Sequence, residues 1–437
     1  MWEGGCSRRR QPRWPARGGT PCWAPCSTPT GTRAPRPRAT AWRSTSSTAT
    51  RSASRCCWTC SARAGSTCRR RYRRGRSAAR RSTTGSSTAS APHGGGGFEG
   101  DRLRLAASVA GRTPGDGTAV RAAPDGGCCV AHGGVVRVYN WMLEERRPVY
   151  LDHAPVNDAA YLDEATLLVA ARERPGRRDG GVAAFSALTG DLHHRFRIAH
   201  DRQVRSFTPG ALAFDHRCKI FASCKGRFNE YGIGVWDYNT GDQADFFYEP
   251  PGCALGDADK LQWLDGTSTL MVTTMFPRTD NSFISLLDFR DKNVAWSWSD
   301  VGTPASLEDK HVLHAIATED GRSVCVINQY DDLGFLDLRS NAVGVRWRSR
   351  SKLTTKKKTH NEETCYPKLA AHGGQLFAST NDTISVFSGP DHILTSTLRG
   401  SDAGAICDFS IGGDRLFALH NEENVFDVWD TPPPPVI

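Results

Sequence analysis

The chain has 437 residues and a formal net charge of +10, from 56 Lys and Arg against 46 Asp and Glu. No run of about 18 apolar residues occurs, so the sequence predicts no membrane span, and its start lacks the apolar stretch of a secretory signal. The charge is uneven. Residues 1–97 contain 20 Arg, one acidic residue and no Lys, which is about +19, so the remainder carries 10 − 19 = −9.

Residues 1–97 lack the side chains that build a hydrophobic core. They contain no Leu, Ile or Val, and the first Phe of the chain is Phe98. Such a segment cannot bury enough apolar surface to offset the entropy cost of ordering it, so we expect it to be disordered. It is also rich in Arg and Ser, as plastid transit peptides are, although no amphipathic period accompanies that composition.

The residue usage of this segment is that of a G/C-rich reading frame whose product is not selected. Reading the codons of "CCWTCSAR" (56–63) one nucleotide earlier forces Leu-Leu-Asp and permits "VLLDLLRT". The same shift lets "MWEGGCSRRR" (1–10) become "NVGGRVFETT" and "STSSTATR" (44–51) become "EYFIDRDP". These hypothetical translations resemble a tetramerisation-type BTB/POZ domain. We therefore interpret residues 1 to about 95 as its frame-shifted translation, with the frame recovered near residues 93–97.

The cysteines of this segment include Cys57 and Cys60 in a C-x-x-C arrangement. A redox motif would need a βαβ context, and a zinc site would need a second pair at fixed spacing, for which Cys22 and Cys26 are a weak candidate. We expect no metal site here. The arginines would still bind polyanions without specificity.

Residues 98–437 contain seven repeats of short apolar strands separated by tight turns. The first turn of each repeat is rich in Asp and Gly, which tolerate the positive φ of hairpin turns; these turns are 123–127, 162–166, 214–218, 264–268, 318–322, 371–375 and 411–415. The third strand of each repeat carries a bulky residue, in order Tyr139, Phe185, Trp236, Leu287, Leu336, Phe387 and Trp429. These residues lie 42 to 51 positions apart. That period predicts an all-β fold, a WD-repeat-like, seven-bladed β-propeller over 98–437.

The repeats leave the last blade one strand short. The chain ends in a proline run that cannot donate ladder hydrogen bonds, whereas residues 101–110 alternate like a lone strand before the first repeat. We expect this N-terminal strand to complete the last blade.

The second part of the chain resembles the C-terminal WD/YVTN-type propeller of plant BTB/POZ proteins with a potassium-channel-tetramerisation-type BTB domain. The resemblance is carried by "FEGDRLRL" (98–105), "RFNEYGIGVWD" (227–237), "FISLLDFRDKNVAWSWSD" (283–300) and "LFALHNEENVFDVW" (416–429). It implies a substrate adaptor for a cullin-3 ubiquitin ligase, in which the BTB domain oligomerises and binds cullin-3 while the propeller holds a target protein. This chain departs from the pattern in the part that would bind the cullin.

The loops between second and third strands combine aromatic and charged residues, which are typical of interface anchors. Taken singly, each is more often a solvated loop residue. The candidate target-binding residues are Arg227, Phe228, Tyr231, Phe276, Arg278, Tyr330, Asp331, Asp332, His420 and Glu423. A basic run at 346–360 is either a nuclear-import or polyanion patch or a solvated strand edge.

Other functions have less support in the sequence. No hydrolase, P-loop, zincin or dinucleotide motif occurs, so we expect no catalytic residues, no cofactor and no metal. A propeller enzyme with carboxylates in its central channel stays an alternative, as does a polyanion or nucleic-acid binder acting through the basic segment. The acidic balance of 98–437 argues against specific nucleic-acid binding. Unpaired cysteine spacing and the missing signal predict a cytoplasmic or nuclear protein.

Overall fold

Seven four-stranded antiparallel sheets follow one another along the chain and form the seven blades of a β-propeller. The computed structural model describes residues 98–432, except 112–115, 152–153, 173–180, 201–202, 205, 227–229, 249–254, 277–282, 300–311, 329, 341–343, 349–364, 402 and 422–423. The predicted frame-shifted segment, with its C-x-x-C, lies outside the described residues. The described residues belong to one compact unit, Thr83–Ile437.

The first four blades occupy the chain from Gly117 to Trp298. Blade 1 comprises Gly117–Ala122, Cys128–His132, Val135–Tyr139 and Val149–Tyr150. Blade 2 comprises Val156–Tyr161, Thr166–Ala171, Val182–Ser186 and Leu192–Phe196. A hairpin of Ala199–His200 and Gln203–Val204 follows. Blade 3 comprises Thr208–Phe214, Lys219–Lys225, Tyr231–Asp237 and Gln243–Tyr248. Blade 4 comprises Asp257–Leu264, Thr269–Phe276, Ile284–Asp288 and Asn293–Trp298.

The last three blades complete the ring. Blade 5 comprises Val312–Ala317, Ser323–Asn328, Leu333–Asp337 and Arg346–Arg348. Blade 6 comprises Leu369–His372, Gln375–Thr380, Thr383–Ser388 and Ile393–Arg399. Blade 7 comprises Ile406–Gly412, Arg415–His420 and Val425–Asp430, with Arg104–Ala110 as its fourth strand. A 3-10 helix, Gly100–Arg102, precedes that strand.

Burial changes across each blade in the way that the strand sequences predict. Second strands such as Thr166–Ala171 are buried at every position, because neighbouring blades cover both faces of the sheet. Outer strands such as Asn293–Trp298 alternate between exposed and partly buried residues, as a half-solvated strand does. The start of the basic run, Arg346–Arg348, is the outer edge strand of blade 5.

Seven hydrophobic clusters fill the spaces between neighbouring blades, one for each pair around the ring. The bulky third-strand residues belong to these clusters, and all seven are buried; Trp236 is 0% exposed and Trp429 is 1% exposed. The aspartate that follows a third-strand tryptophan organises the next turn, since Asp237 Oδ1 accepts a hydrogen bond from Asn239 N at 2.8 Å. The predicted period of bulky residues is therefore confirmed as packing between blades.

The ring closes where the two ends of the described chain meet, as the sequence predicts. Arg104–Ala110 pairs antiparallel with Val425–Asp430. Ser108 Oγ donates a hydrogen bond to the buried carboxylate of Asp427 at 2.6 Å. The fourth strand of blade 7 thus comes from the opposite end of the propeller sequence, and one cluster packs blade 7 against blade 1. In the part of the chain that the structure describes, no helix has the length and hydropathy to cross a bilayer.

Candidate protein-interaction face

One face of the propeller gathers the loops between second and third strands together with the connections between blades. We call it the loop face. Its parts are joined by backbone hydrogen bonds: Val156 N, at the start of blade 2, donates to Gly133 O of blade 1 at 2.7 Å, and Ile406 N of blade 7 donates to Asn381 O of blade 6 at 2.7 Å. Each first strand therefore begins at the loop face and runs down the central channel to the first turn on the opposite face.

Tyr231 begins the third strand of blade 3 at the loop face and is 9% exposed. The ammonium of Lys225 lies 5.8 Å from the centre of its ring and also pairs with Asp257 Oδ2 at 2.8 Å. These hydrogen-bonded and ionic contacts raise the pKa of Lys225, despite its partial burial. The ammonium of Lys225 therefore covers the ring of Tyr231 and connects blade 3 to blade 4.

The loop 328–332 of blade 5 is organised by the side chain of Asn328. Asn328 Oδ1 accepts hydrogen bonds from Tyr330 N and Asp332 N, both at 2.9 Å. Asp331 takes a positive φ of 63°, a conformation that aspartate tolerates better than most residues. Asp331 and Asp332 are buried and Tyr330 is partly buried. Of these three predicted residues, Tyr330 is the most exposed to solvent.

His420, at the end of the second strand of blade 7, is fully buried. Its Nε2 lies 3.0 Å from Asp427 Oδ2 and its Nδ1 lies 2.8 Å from Gly404 O. Burial lowers the pKa of His420, but the bonds to Asp427 and Gly404 outweigh that effect and the pKa is raised. This histidine links the connection between blades 6 and 7 to the third strand of blade 7.

The remaining predicted residues are described in part or not at all. Phe276 ends the second strand of blade 4, where its backbone pairs with Asp257. Arg227, Phe228, Arg278 and Glu423 lie outside the described residues. The binding role of the ten residues therefore stays a prediction.

Beneath the loop face, the central channel holds charged side chains that the sequence analysis did not identify. Arg121, on the first strand of blade 1, pairs with Asp158 of blade 2 at 2.6 Å and with Asp408 of blade 7. Burial lowers the pKa of Arg121, but the two carboxylates outweigh it and the pKa is raised. One guanidinium thus joins three blades, as its fork of donors allows.

The other side of the channel carries a second group of charges from blades 4, 5 and 6. Lys368 Nζ lies 3.2 Å from Asp259 Oδ2, and His314 Nδ1 accepts a hydrogen bond from Leu369 N at 3.3 Å. Burial, followed by the charge of Lys368, lowers the pKa of His314 well below its usual value, so the ring is neutral. Lys260 completes this group. We call the seven side chains the channel cluster: Arg121, Asp158, Asp259, Lys260, His314, Lys368 and Asp408.

Several members of the channel cluster also complete the hydrogen bonding of the inner strands. A first strand is the inner edge of its sheet, so its inward N–H groups have no ladder partner. Asp408 Oδ2 accepts from Val120 N at 3.0 Å, and Asp158 Oδ2 accepts from Leu212 N at 2.9 Å. The carboxylates therefore stabilise the junctions between blades, whatever else they bind.

A sequence signal for this cluster exists. In five repeats, a polar or charged residue lies three or four positions before the first turn: Asp158, Lys260, His314, Lys368 and Asp408. Four of them occupy the same place in the strand, directly after a β-bulge or register shift. In the described residues, no group of three or more His, Cys, Asp or Glu side chains is placed to hold a metal ion.

Comparisons with known proteins agree with this architecture. The family described as "At2g24240-like, C-terminal beta propeller" matches residues 111–431. The chain is 62% identical over 342 residues to the BTB/POZ domain-containing protein At2g24240 of Arabidopsis thaliana, covering 78% of this chain and 77% of that protein. It is 60% identical over 344 residues to the BTB/POZ domain-containing protein At4g30940 of the same plant, covering 78% of each chain. A more distant Arabidopsis thaliana relative, the BTB/POZ domain-containing protein At5g41330, is 22% identical over 348 residues, 70% of each chain.

Proposed function

Because the chain belongs to the At2g24240-like C-terminal β-propeller family, we propose that its propeller is the target-recognition part of an adaptor for a cullin-3 RING ubiquitin ligase. The relatives carry the BTB/POZ name and the propeller is shared, and this combination is that of a protein-interaction adaptor. In this scheme the target protein binds the loop face, and cullin-3 binds only where an intact BTB domain is present.

The observation that carries the proposal is the closed ring with its loops gathered on one face. Seven packed clusters stabilise the ring. The loops, which differ in sequence from blade to blade, are therefore presented on a rigid support, as binding loops usually are. The carboxylates of the channel are already bonded to Arg121 or Lys368. That pairing favours a binding platform over a hydrolase, whose catalytic carboxylate must be free of such ion pairs to act as an acid, base or nucleophile.

In this proposal the BTB domain binds cullin-3 and the propeller binds the target, and we call this the division of labour. It leads to three further expectations about the chain. Residues 1–97 contain no Leu, Ile or Val, so they cannot build the apolar helices of a cullin-docking surface. The formal charge of 98–437 is 10 − 19 = −9, which disfavours nucleic acid as the partner. We infer a non-catalytic protein that works in the cytoplasm, the nucleus or both, without a cofactor or a membrane.

The cullin part of the proposal is tested by replacing residues 1–97 with the in-frame BTB sequence. Cullin-3 is recovered from cells that express each version at matched levels. We expect the BTB-containing version to recover cullin-3 and to oligomerise, and the 437-residue chain to recover little. Equal recovery by both versions would contradict the frame-shift interpretation and the division of labour.

The target part is tested by reversing the charges of two predicted target-binding residues, Arg227→Glu with Arg278→Glu. Target proteins are first identified by proximity labelling, and their capture is then measured. We expect at least about a tenfold loss of capture, or about 1.4 kcal/mol. The melting temperature should not change, because the sequence predicts both arginines in surface loops, where charges contribute little to folding. The matched control is Arg217→Glu with Arg322→Glu, two exposed arginines in first turns on the opposite face. Equal loss from both pairs would place the target elsewhere.

A further inference from the structure

The channel cluster has opposite charge on its two sides. Blades 7, 1 and 2 contribute Asp408, Arg121 and Asp158, which sum to one negative charge. Blades 4, 5 and 6 contribute Asp259, Lys260 and Lys368 with the neutral His314, which sum to one positive charge. In a ring of seven blades these two groups face each other across the channel. A ligand that carries a negative group and a hydrogen-bond donor can match both sides.

Among the residues that the structure describes, Lys260 is the cation of this cluster without a hydrogen-bonded or ion-paired partner. Arg121 is bonded to two carboxylates and Lys368 to one, whereas no hydrogen bond or ion pair reaches Lys260 Nζ from the residues that the structure describes. Lys260 interacts electrostatically with Arg121, Lys368 and the two aspartates across the channel. Groups of blades 1, 2, 6 and 7 can act on one side chain of blade 4 only if it extends into the channel.

The electrostatic environment of Lys260 favours the binding of an anion. Burial, followed by the charge of Arg121, lowers the pKa of Lys260, which means that the protein disfavours the ammonium relative to water. A partly buried charge without a partner costs free energy, and a bound carboxylate would offset that cost. On the opposite side, Asp408 Oδ2 is bonded to Arg121 and Val120 N, and no described group donates to its Oδ1. That oxygen can accept from a peptide N–H.

The site lies within reach of the loop face. Lys260 is the fourth residue of Asp257–Leu264, a strand that begins at the loop face, where Asp257 pairs with Lys225. Three residues of strand correspond to about 10 Å, and the lysine side chain can cover much of that depth. An acidic group on a target segment that enters the channel mouth can therefore meet Lys260.

We propose that the channel mouth is a carboxylate-binding subsite for the target protein, in which Lys260 binds an acidic group of the target and Asp408 accepts from a neighbouring peptide N–H. The subsite rests on the proposed function, because it assigns the chemistry of the segment that the loop face holds. Its ligand class is an acidic peptide. The carboxylate can come from an Asp or Glu side chain or from a chain terminus.

The test uses the full 437-residue chain and three pools of randomised decapeptides, the first two of which are blocked at both ends. One pool has Glu at a fixed central position, a matched pool has Gln there, and a third pool has Gln with a free C-terminus. Retention of each pool on the immobilised protein is measured by mass spectrometry. We expect the Glu pool or the free-terminus pool to be retained at least about fivefold more than the blocked Gln pool, and the pool that is enriched identifies the source of the carboxylate.

Three variants separate the subsite from a general effect of charge. Lys260→Met should bring the ratio to about one, and Lys260→Arg should keep most of it. Lys292→Met is the matched control, because Lys292 is an exposed lysine on the outer rim that pairs with Asp245 at 2.8 Å, and it should leave the ratio unchanged. Unfolding curves of each variant check that the propeller stays intact.

Equal retention of all pools, or of none above the blank resin, would overturn the subsite, as would a ratio that survives in Lys260→Met. These results are distinguishable from failure of the proposed function. If the charge reversals at Arg227 and Arg278 still weaken target capture, the loop face remains the binding surface and only the carboxylate subsite is lost.

Discussion

Trp236 offers the sharpest test of the packing between blades. Its indole is fully buried in the cluster between blades 2 and 3. Its ring centre lies 5.9 Å from that of Phe196, and its Nε1 donates to Arg197 O at 2.8 Å. Trp236→Ala would empty the ring site and leave that carbonyl without its donor.

The size of the loss follows from these contacts. A buried tryptophan removes about 200 Å² from water, which at about 25 cal/mol per Å² is about 5 kcal/mol, and alanine keeps a small part of it. Losing the hydrogen bond adds about 1 kcal/mol, while inward relaxation of the neighbours returns some of the total. We expect Trp236→Ala to lower the free energy of unfolding by about 3–5 kcal/mol.

Gly234 turns this substitution into a double-mutant cycle. A Cβ at Gly234 would lie 2.9 Å from Cζ2 of the Trp236 ring and closer still to Cη2, and the buried ring cannot move aside. Gly234→Ala alone should therefore destabilise by about 1–3 kcal/mol. In the Trp236→Ala background the clash is gone, so the second substitution should cost little, and the coupling energy should also be about 1–3 kcal/mol.

The four proteins of the cycle are compared by urea unfolding, followed by circular dichroism of the β-sheets. Trp236→Phe serves as the conservative control and should cost less than Trp236→Ala. A loss below about 1 kcal/mol for Trp236→Ala would mean that the ring does not fill the space between the blades. Additive effects of Gly234→Ala and Trp236→Ala would refute the contact between them.

The remaining predictions concern the buried charges. Arg121→Met should lower the free energy of unfolding by about 3–5 kcal/mol, because two carboxylates lose their shared cation; a smaller loss than for Arg339→Met, an exposed control, would contradict this. Ser108→Ala should lower the free energy of unfolding by about 1.5–3 kcal/mol, because it removes the hydrogen bond to the buried Asp427 carboxylate. An unchanged urea midpoint would mean that this bond of the closing strand does not stabilise the ring. The pKa of His420 is raised in the fold, so its contribution is complete below about pH 6.5 and is lost as the pH rises through the raised value. The difference in urea midpoint between the wild type and His420→Gln should therefore be larger at pH 5.5 than at pH 9.

The number of blades and the closure of the ring could be predicted from sequence because both depend on local patterns. Each repeat places one bulky residue, such as Trp236 or Trp429, at the same point of its third strand, and each such residue must be buried between blades. Asp- and Gly-rich turns fix the hairpins next to them. The strand within residues 101–110 could be assigned to blade 7 because the last repeat has only three strands. The proline run that follows it cannot donate the hydrogen bonds of a fourth strand.

The surroundings of the polar residues depend instead on the tertiary structure. His420 stands in a polar stretch typical of an exposed loop, yet it is fully buried because Gly404 and Asp427 fold around it. The Arg121–Asp408 pair joins residues 287 positions apart, which no local pattern connects. The polar position before five of the seven first turns is visible in the sequence. The closed ring determines which of these charges pair, and it leaves Lys260 without a described partner. Only closure of the ring brings the first strands of all seven blades around one channel.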